Sequence, residues 1–257
     1  MEKKMLEMKN IVKNFPGVQA LKDVDFDLYE GEVHGLVGEN GAGKSTLIKI
    51  LSGDYAMSSG EVFIDEGKVD FKSPADSHAI GIRVIYQELV TMDTLTAAEN
   101  IFVGQIPKNR AGFVDWKRMN KVSREVLERM NVNINPKKVV GDLSIHQKQI
   151  VEIAKAINKE AKILVMDEPT AALGEDDTES LFEIIKNLKK QGVGIIYISH
   201  RLEEVFEITD RVTVLRDGKK IGTERTNETT KSNLISMMVG RELESYYAKK
   251  EEEIGET

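Results

Sequence analysis

Nine residues, Gly38-Glu39-Asn40-Gly41-Ala42-Gly43-Lys44-Ser45-Thr46, stand between a strand-length run, Val33–Val37, and a short stretch whose apolar side is Leu47, Ile48, Ile50 and Leu51. No other feature limits the fold as much. Glycine lets successive backbone N–H groups curl round an anion with no Cβ in the way, and a helix opening at the end of the loop adds a partial positive charge. Lys44 is placed to reach the β- and γ-phosphates of a nucleotide, and the Ser45 hydroxyl to ligate Mg²⁺. Because the loop is entered from a strand and left by a helix, the pattern predicts an α/β chain that binds a nucleoside triphosphate.

The rest of the chain supplies the other strands and helices. Val24, Phe26 and Leu28 alternate with Asp25, Asp27 and Tyr29, the period of a half-buried strand. Residues 62–71 predict a hairpin turning at Glu66-Gly67, and Asp217-Gly218 predicts another after the strand at 211–215. Over 89–159 the spacing becomes helical, with Met119, Val122, Val126 and Met130 on one face and Ile150, Ile153, Ala154 and Ile157 on another. Strand, helix and strand then return as Ile163-Leu164-Val165-Met166, a helix carrying Leu181, Ile184, Ile185 and Leu188 that ends near Gly192, and Ile195-Ile196-Tyr197-Ile198. That order implies a parallel sheet covered on both faces. The first of these strands delivers Asp167 and Glu168 to its C-terminal end, where such sheets present their ligand crevice. Asp167 is suited to hold hydrated Mg²⁺, and Glu168 to polarise an attacking water.

Composition excludes other chemistries. The 257 residues contain no Cys, so disulfides, thiolate catalysis and Cys-ligated zinc are ruled out. A net charge of −7 argues against a general attraction to nucleic acid or an anionic membrane, while leaving room for a local basic patch. His34, His78 and His146 lack metal-ligand spacing, and no transition metal is expected. The charged N-terminus has no secretory apolar stretch, and the best apolar run, 192–198, falls far short of the roughly 20 residues of a membrane span. A cytoplasmic location is expected, with any membrane link made through a partner.

Lys44, Gln87 in Tyr86-Gln87-Glu88, Leu143-Ser144-Ile145-His146-Gln147, Asp167-Glu168 and His200 follow one another in an order that resembles the ATPase subunits of ABC transporters. The resemblance runs from about Leu6 to Gly240. It points toward the ribose, galactose and xylose importers through Phe15-Pro16-Gly17-Val18-Gln19-Ala20-Leu21, Val151-Glu152-Ile153-Ala154-Lys155-Ala156 and the segment from Tyr197 through His200 to Phe206. It implies a P-loop NTPase (RecA-like) α/β core with an antiparallel β subdomain and an inserted α-helical subdomain. The domain would cover 5–240, with the core in 5–87 and 160–240, the helical subdomain in 88–159, and a tail or linker at 241–257. The implied roles are adenine stacking for Phe15, contact with Mg²⁺ and the attacking water for Gln87, and contact with the γ-phosphate for His200. ATP and Mg²⁺ are the implied ligands. The implied partners are membrane permease subunits gripped near 88–104, a second nucleotide-binding half, and indirectly an extracytoplasmic sugar-binding protein, with no nucleic acid. The implied place is the cytoplasmic face of the membrane.

Two loops depart from the family pattern. Its signature is Leu-Ser-Gly-Gly-Gln, whose Ser and helix N-terminus cap the nucleotide of the opposite subunit; here Ser144 is kept but Ile145 and His146 replace the glycines, so a weakened cap is expected. His146 either obstructs that approach or donates to phosphate. In Ala171-Ala172-Leu173-Gly174, Gly stands where the family usually has Asp, which puts that loop's usual cross-subunit contact in doubt. Sugar importers of this type usually fuse two ATPase halves, and the chain resembles the first, whose intact P-loop would meet the second half's signature. Two other readings stay open: a soluble ATPase of this class acting on nucleic acid or ribosomes, and a regulatory module that binds nucleotide without hydrolysing it.

Overall fold

The computed structural model describes residues 3–240, so the tail expected at 241–257 lies outside the described residues. Two long strands, β1 (Lys4–Phe15) and β2 (Val18–Tyr29), open the chain, and β3 (Val33–Val37) leads through the glycine loop into α1 (Lys44–Leu51). A hairpin of β4 (Ser59–Ile64) and β5 (Gly67–Val69), the helix α2 (Pro74–Ile80) and β6 (Ile82–Ile85) follow. Between β6 and the next sheet strand come α3 (Ala97–Ile101), α4 (Trp116–Arg129) and α5 (Ile145–Asn158). The chain then runs through β7 (Ile163–Asp167), α6 (Glu175–Lys190), β8 (Gly194–Ile198), α7 (Leu202–Ile208), β9 (Arg211–Arg216), β10 (Lys219–Arg225) and α8 (Lys231–Val239).

The strands form two sheets. One is antiparallel, in the order β2-β1-β4-β5; the other has the order β10-β9-β3-β8-β7-β6, parallel except for the edge strand β10. Alternation along β7 divides its side chains between two cores. Leu164 and Met166 pack with the apolar faces of α5 and α6, while Ile163 and Val165 pack with α1 and the antiparallel sheet. Both faces of the parallel sheet are therefore buried, as the strand-helix-strand order implies.

The first hairpin turns one residue earlier than expected. Asp65 and Glu66 adopt the positive φ of its two central positions, and Gly67 already pairs with Ile64. The register that sets Val62 opposite Val69 fixes this position, because a slip of one residue would turn the buried Val62 to the other face. Phe71, anticipated in the second arm, lies beyond β5 and is buried in the core. The Asp217-Gly218 turn forms where expected, with positive φ at both residues.

Candidate active site

The glycine loop is built as a cradle. It leaves β3 at Gly38, and Gly43, at φ 108°, opens α1, whose first turn no side chain caps. The leading N–H groups of α1 are thereby left for a ligand. A Cβ on Gly43 would meet Leu21 Cδ2 at 2.8 Å, whereas one on Gly41 would meet nothing within 4 Å. Glycine at 43 thus allows close packing beneath the loop, and Gly41 faces open space with Asn40. The β9–β10 turn supports the loop from below: Gly218 N–H donates to the Ala42 carbonyl at 3.1 Å, and Lys22 N–H to the Gly218 carbonyl at 2.7 Å. Lys44 Nζ donates to the carbonyls of Gly38 and Glu39, at 2.7 and 3.1 Å. Burial lowers the Lys44 pKa, and the charges of Glu168 and Asp167 oppose that shift, which sets all three groups in one electrostatic neighbourhood. Ser45 and Thr46 follow Lys44 in the first turn of α1.

Asp167 ends β7, and Glu168 follows with φ 47°, a left-handed conformation rare outside glycine that costs on the order of 1–3 kcal/mol. Its N–H is held by the Ile198 carbonyl at 2.9 Å. Burial first, then the neighbouring Glu168 charge, raise the Asp167 pKa, against Lys44 and Lys49. His200, two residues past β8, brings Nδ1 to 3.1 Å from Glu168 Oε1.

Ser45, Gln87 and Asp167 line one cavity of about 740 Å³, together with Lys49, Tyr55 and Tyr86. One carboxylate and two neutral side-chain oxygens are hard donors of the kind that suit Mg²⁺. Among the described residues no group of three or more His, Cys, Asp or Glu could hold a metal by itself. Phe15, at the end of β1, lies edge-on to Tyr55 with centroids 5.4 Å apart, and Lys13 Nζ sits 4.9 Å from its ring centre. Tyr55, four residues beyond α1, carries no motif that would have identified it from sequence.

The signature segment forms the head of α5. Ser144 is its N-cap, accepting from Gln147 N–H at 3.2 Å while Gln147 Oε1 accepts from Ser144 N–H. The two residues in place of glycine diverge: Ile145 is 51% exposed, whereas His146 is buried, its Nδ1 without a hydrogen-bond partner. Burial lowers the His146 pKa, opposed by Asp177, so the ring is a neutral inward group and Ile145 is the side chain an approaching ligand would meet.

Residues 21–171 match the ABC transporter family, and the chain belongs to it. Among its relatives, the ribose import ATP-binding protein RbsA 1 of Rubrobacter xylanophilus is 50% identical over 98% of this chain and 50% of that protein. The xylose import ATP-binding protein XylG of Thermoanaerobacter pseudethanolicus is 49% identical over all of this chain and 51% of its own length. The chain thus spans about half the length of the curated relatives it matches. The fold matches the crystal structure of an ABC transporter ATP-binding cassette in its ADP conformation, with a TM-score of 0.81 and 26% identity over 93% of this chain and 99% of that one.

Proposed function

We propose that this chain is an ATP-hydrolysing half of an ABC importer for a monosaccharide of the ribose, xylose or galactose class, with its ATPase domain at 5–240 and a helical subdomain at 88–159. It would work on the cytoplasmic face of the membrane, bound to permease subunits and a second nucleotide-binding half, while an extracytoplasmic sugar-binding protein delivers the solute. Among the described residues no helix is long and apolar enough to cross a membrane, so the proposed attachment is peripheral.

The loop from Gly38 to Thr46 would cradle the phosphates, with the Lys44 ammonium exchanging its carbonyl partners for phosphate oxygens. Phe15, beside Tyr55, would receive the adenine, a face that tolerates any base. When bound through Ser45, Gln87 and Asp167, Mg²⁺ supplies charge neutralisation on the β- and γ-phosphates. Glu168 would accept the proton of the attacking water, and His200 would steady charge on the γ-phosphate during transfer. Ser144 would cap nucleotide held by the other half.

One observation carries this reading: Glu168 and His200, from separate strand ends, meet at 3.1 Å in the electrostatic field of Lys44. Glu168→Gln is expected to keep ATP binding and to lower turnover at least about 100-fold, the span of general-base catalysis. Near-normal hydrolysis in that variant removes Glu168 as the base.

A further inference from the structure

A buried carboxylate outside the described machinery joins its two catalytic loops. Glu204, in the first turn of α7, is 6% exposed and accepts hydrogen bonds from three buried hydroxyls. Thr170 Oγ1 donates at 2.7 Å, Tyr197 OH at 2.9 Å and Ser199 Oγ at 2.7 Å, and Arg201 Nη1 lies at 3.4 Å. Thr170 belongs to the loop that follows Glu168, where Ala171 N–H donates back to the Glu168 carbonyl at 3.2 Å. Ser199 and Arg201 flank His200, and Ser199 Oγ also accepts from Arg201 N–H at 3.0 Å. One carboxylate therefore grips the chain just after Glu168 and on both sides of His200.

Burial and then the Glu204 charge raise the Tyr197 pKa, so the phenol remains a donor across ordinary pH. A buried carboxylate that accepts from Thr170 on one segment and from Tyr197 and Ser199 on another fixes their relative placement, because a segment that drifts leaves its buried hydroxyls without their acceptor. The strained φ of Glu168 needs such support: a left-handed glutamate persists only where the surroundings over-determine it.

Resting on the reading of Glu168 as the base, we propose that Glu204 is a positioning residue for hydrolysis, holding the Glu168 and His200 loops in the register that lets the two side chains meet. It touches no nucleotide. Its removal leaves binding intact and lowers the chemical step.

The test compares Glu204→Gln, Thr170→Val, the pair, and Glu168→Gln in the full-length protein assembled with its membrane subunits. Turnover, MgATP affinity and melting temperature are measured on each. Glu204→Gln keeps the shape but removes the anion, and is expected to lower kcat about 10-fold with MgATP affinity within twofold of wild type. Thr170→Val, which deletes one donor at nearly constant volume, is expected to lower kcat about threefold with the same split, and the pair to be no worse than Glu204→Gln alone. Wild-type kcat in both single variants, even with a lowered melting temperature, reduces Glu204 to a packing role and overturns the proposal. So do kcat losses that multiply in the pair. Persisting turnover in Glu168→Gln instead removes the base, a separate failure read from a separate variant.

Discussion

His34 shows how far one residue's surroundings set its chemistry. It lies fully buried on β3, its ring 4.6 Å from that of Phe26, with Nε2 2.8 Å from Thr213 Oγ1 and Nδ1 3.3 Å from Arg211 Nη2. Arginine only donates, so Nδ1 carries the lone pair and Nε2 the proton. Arg211 is itself paired with Glu32 at 2.6 Å and Asp27 at 3.0 Å, which anchors the base of the parallel sheet to the antiparallel one. Burial first, then the Arg211 charge, push the His34 pKa well below its ordinary value. The unfolded chain therefore takes up a proton near pH 6.5 that the folded one refuses, and stability falls as pH drops below that point. The slope from this site approaches about 1.4 kcal/mol per pH unit. His34→Gln, whose amide can still donate to Thr213, is expected to flatten the pH dependence between about 5 and 6.5 in denaturant titrations. An unchanged slope there would assign the effect to His78 and His146, whose pKa values burial also lowers.

At the level of elements, the nucleotide loop depends on a hairpin far from it in sequence. A Cβ on Gly218 would meet the Ala20 carbonyl at 2.6 Å, at a backbone φ of 76° that already favours glycine. Gly218→Ala must push the β9–β10 turn away from β2 and drag Ala42 with it. The expected cost is about 1–3 kcal/mol of stability, together with a several-fold loss of ATP affinity that a surface turn would not produce. Melting curves and nucleotide titration check both parts. The Asp217-Gly218 turn itself was legible, because its residues demand it whatever surrounds them. So was the delivery of Asp167 and Glu168, since an apolar strand ending in two acids has few other readings. β1 was not: its pairing with β2 shifts register between Met8 and Ile11, and Asn10 takes a positive φ, so the two-residue period is broken. Nor were the left-handed Glu168 and the hydroxyls around Glu204. Those depend on the end of β8, with Tyr197, Ile198 and Ser199, meeting the loop after β7 that carries Glu168 and Thr170, a pairing between distant segments that no local pattern encodes.

At the scale of the whole molecule, the chain joins a complete cradle to an altered cap. In the proposed assembly the P-loop here meets the signature of another half, while α5 of this chain faces that half's P-loop. Two copies of this chain paired with each other would instead set Ile145 against each intact cradle. The structure separates the two departures. Replacing His146 empties a buried position, whereas Ile145 is half exposed and its removal leaves no cavity. Ile145→Gly is therefore expected to cost about 1 kcal/mol or less of stability, the helix penalty of glycine being smallest at a terminus. It should also let the backbone at the head of α5 approach a phosphate. The isolated wild-type chain should hydrolyse ATP slowly, with a rate rising as the square of concentration where dimers are scarce. Ile145→Gly should raise that rate several-fold, and His146→Gly should mainly lower the melting temperature. If His146→Gly accelerates turnover and Ile145→Gly does not, the inward ring rather than the outward side chain is what spoils the cap.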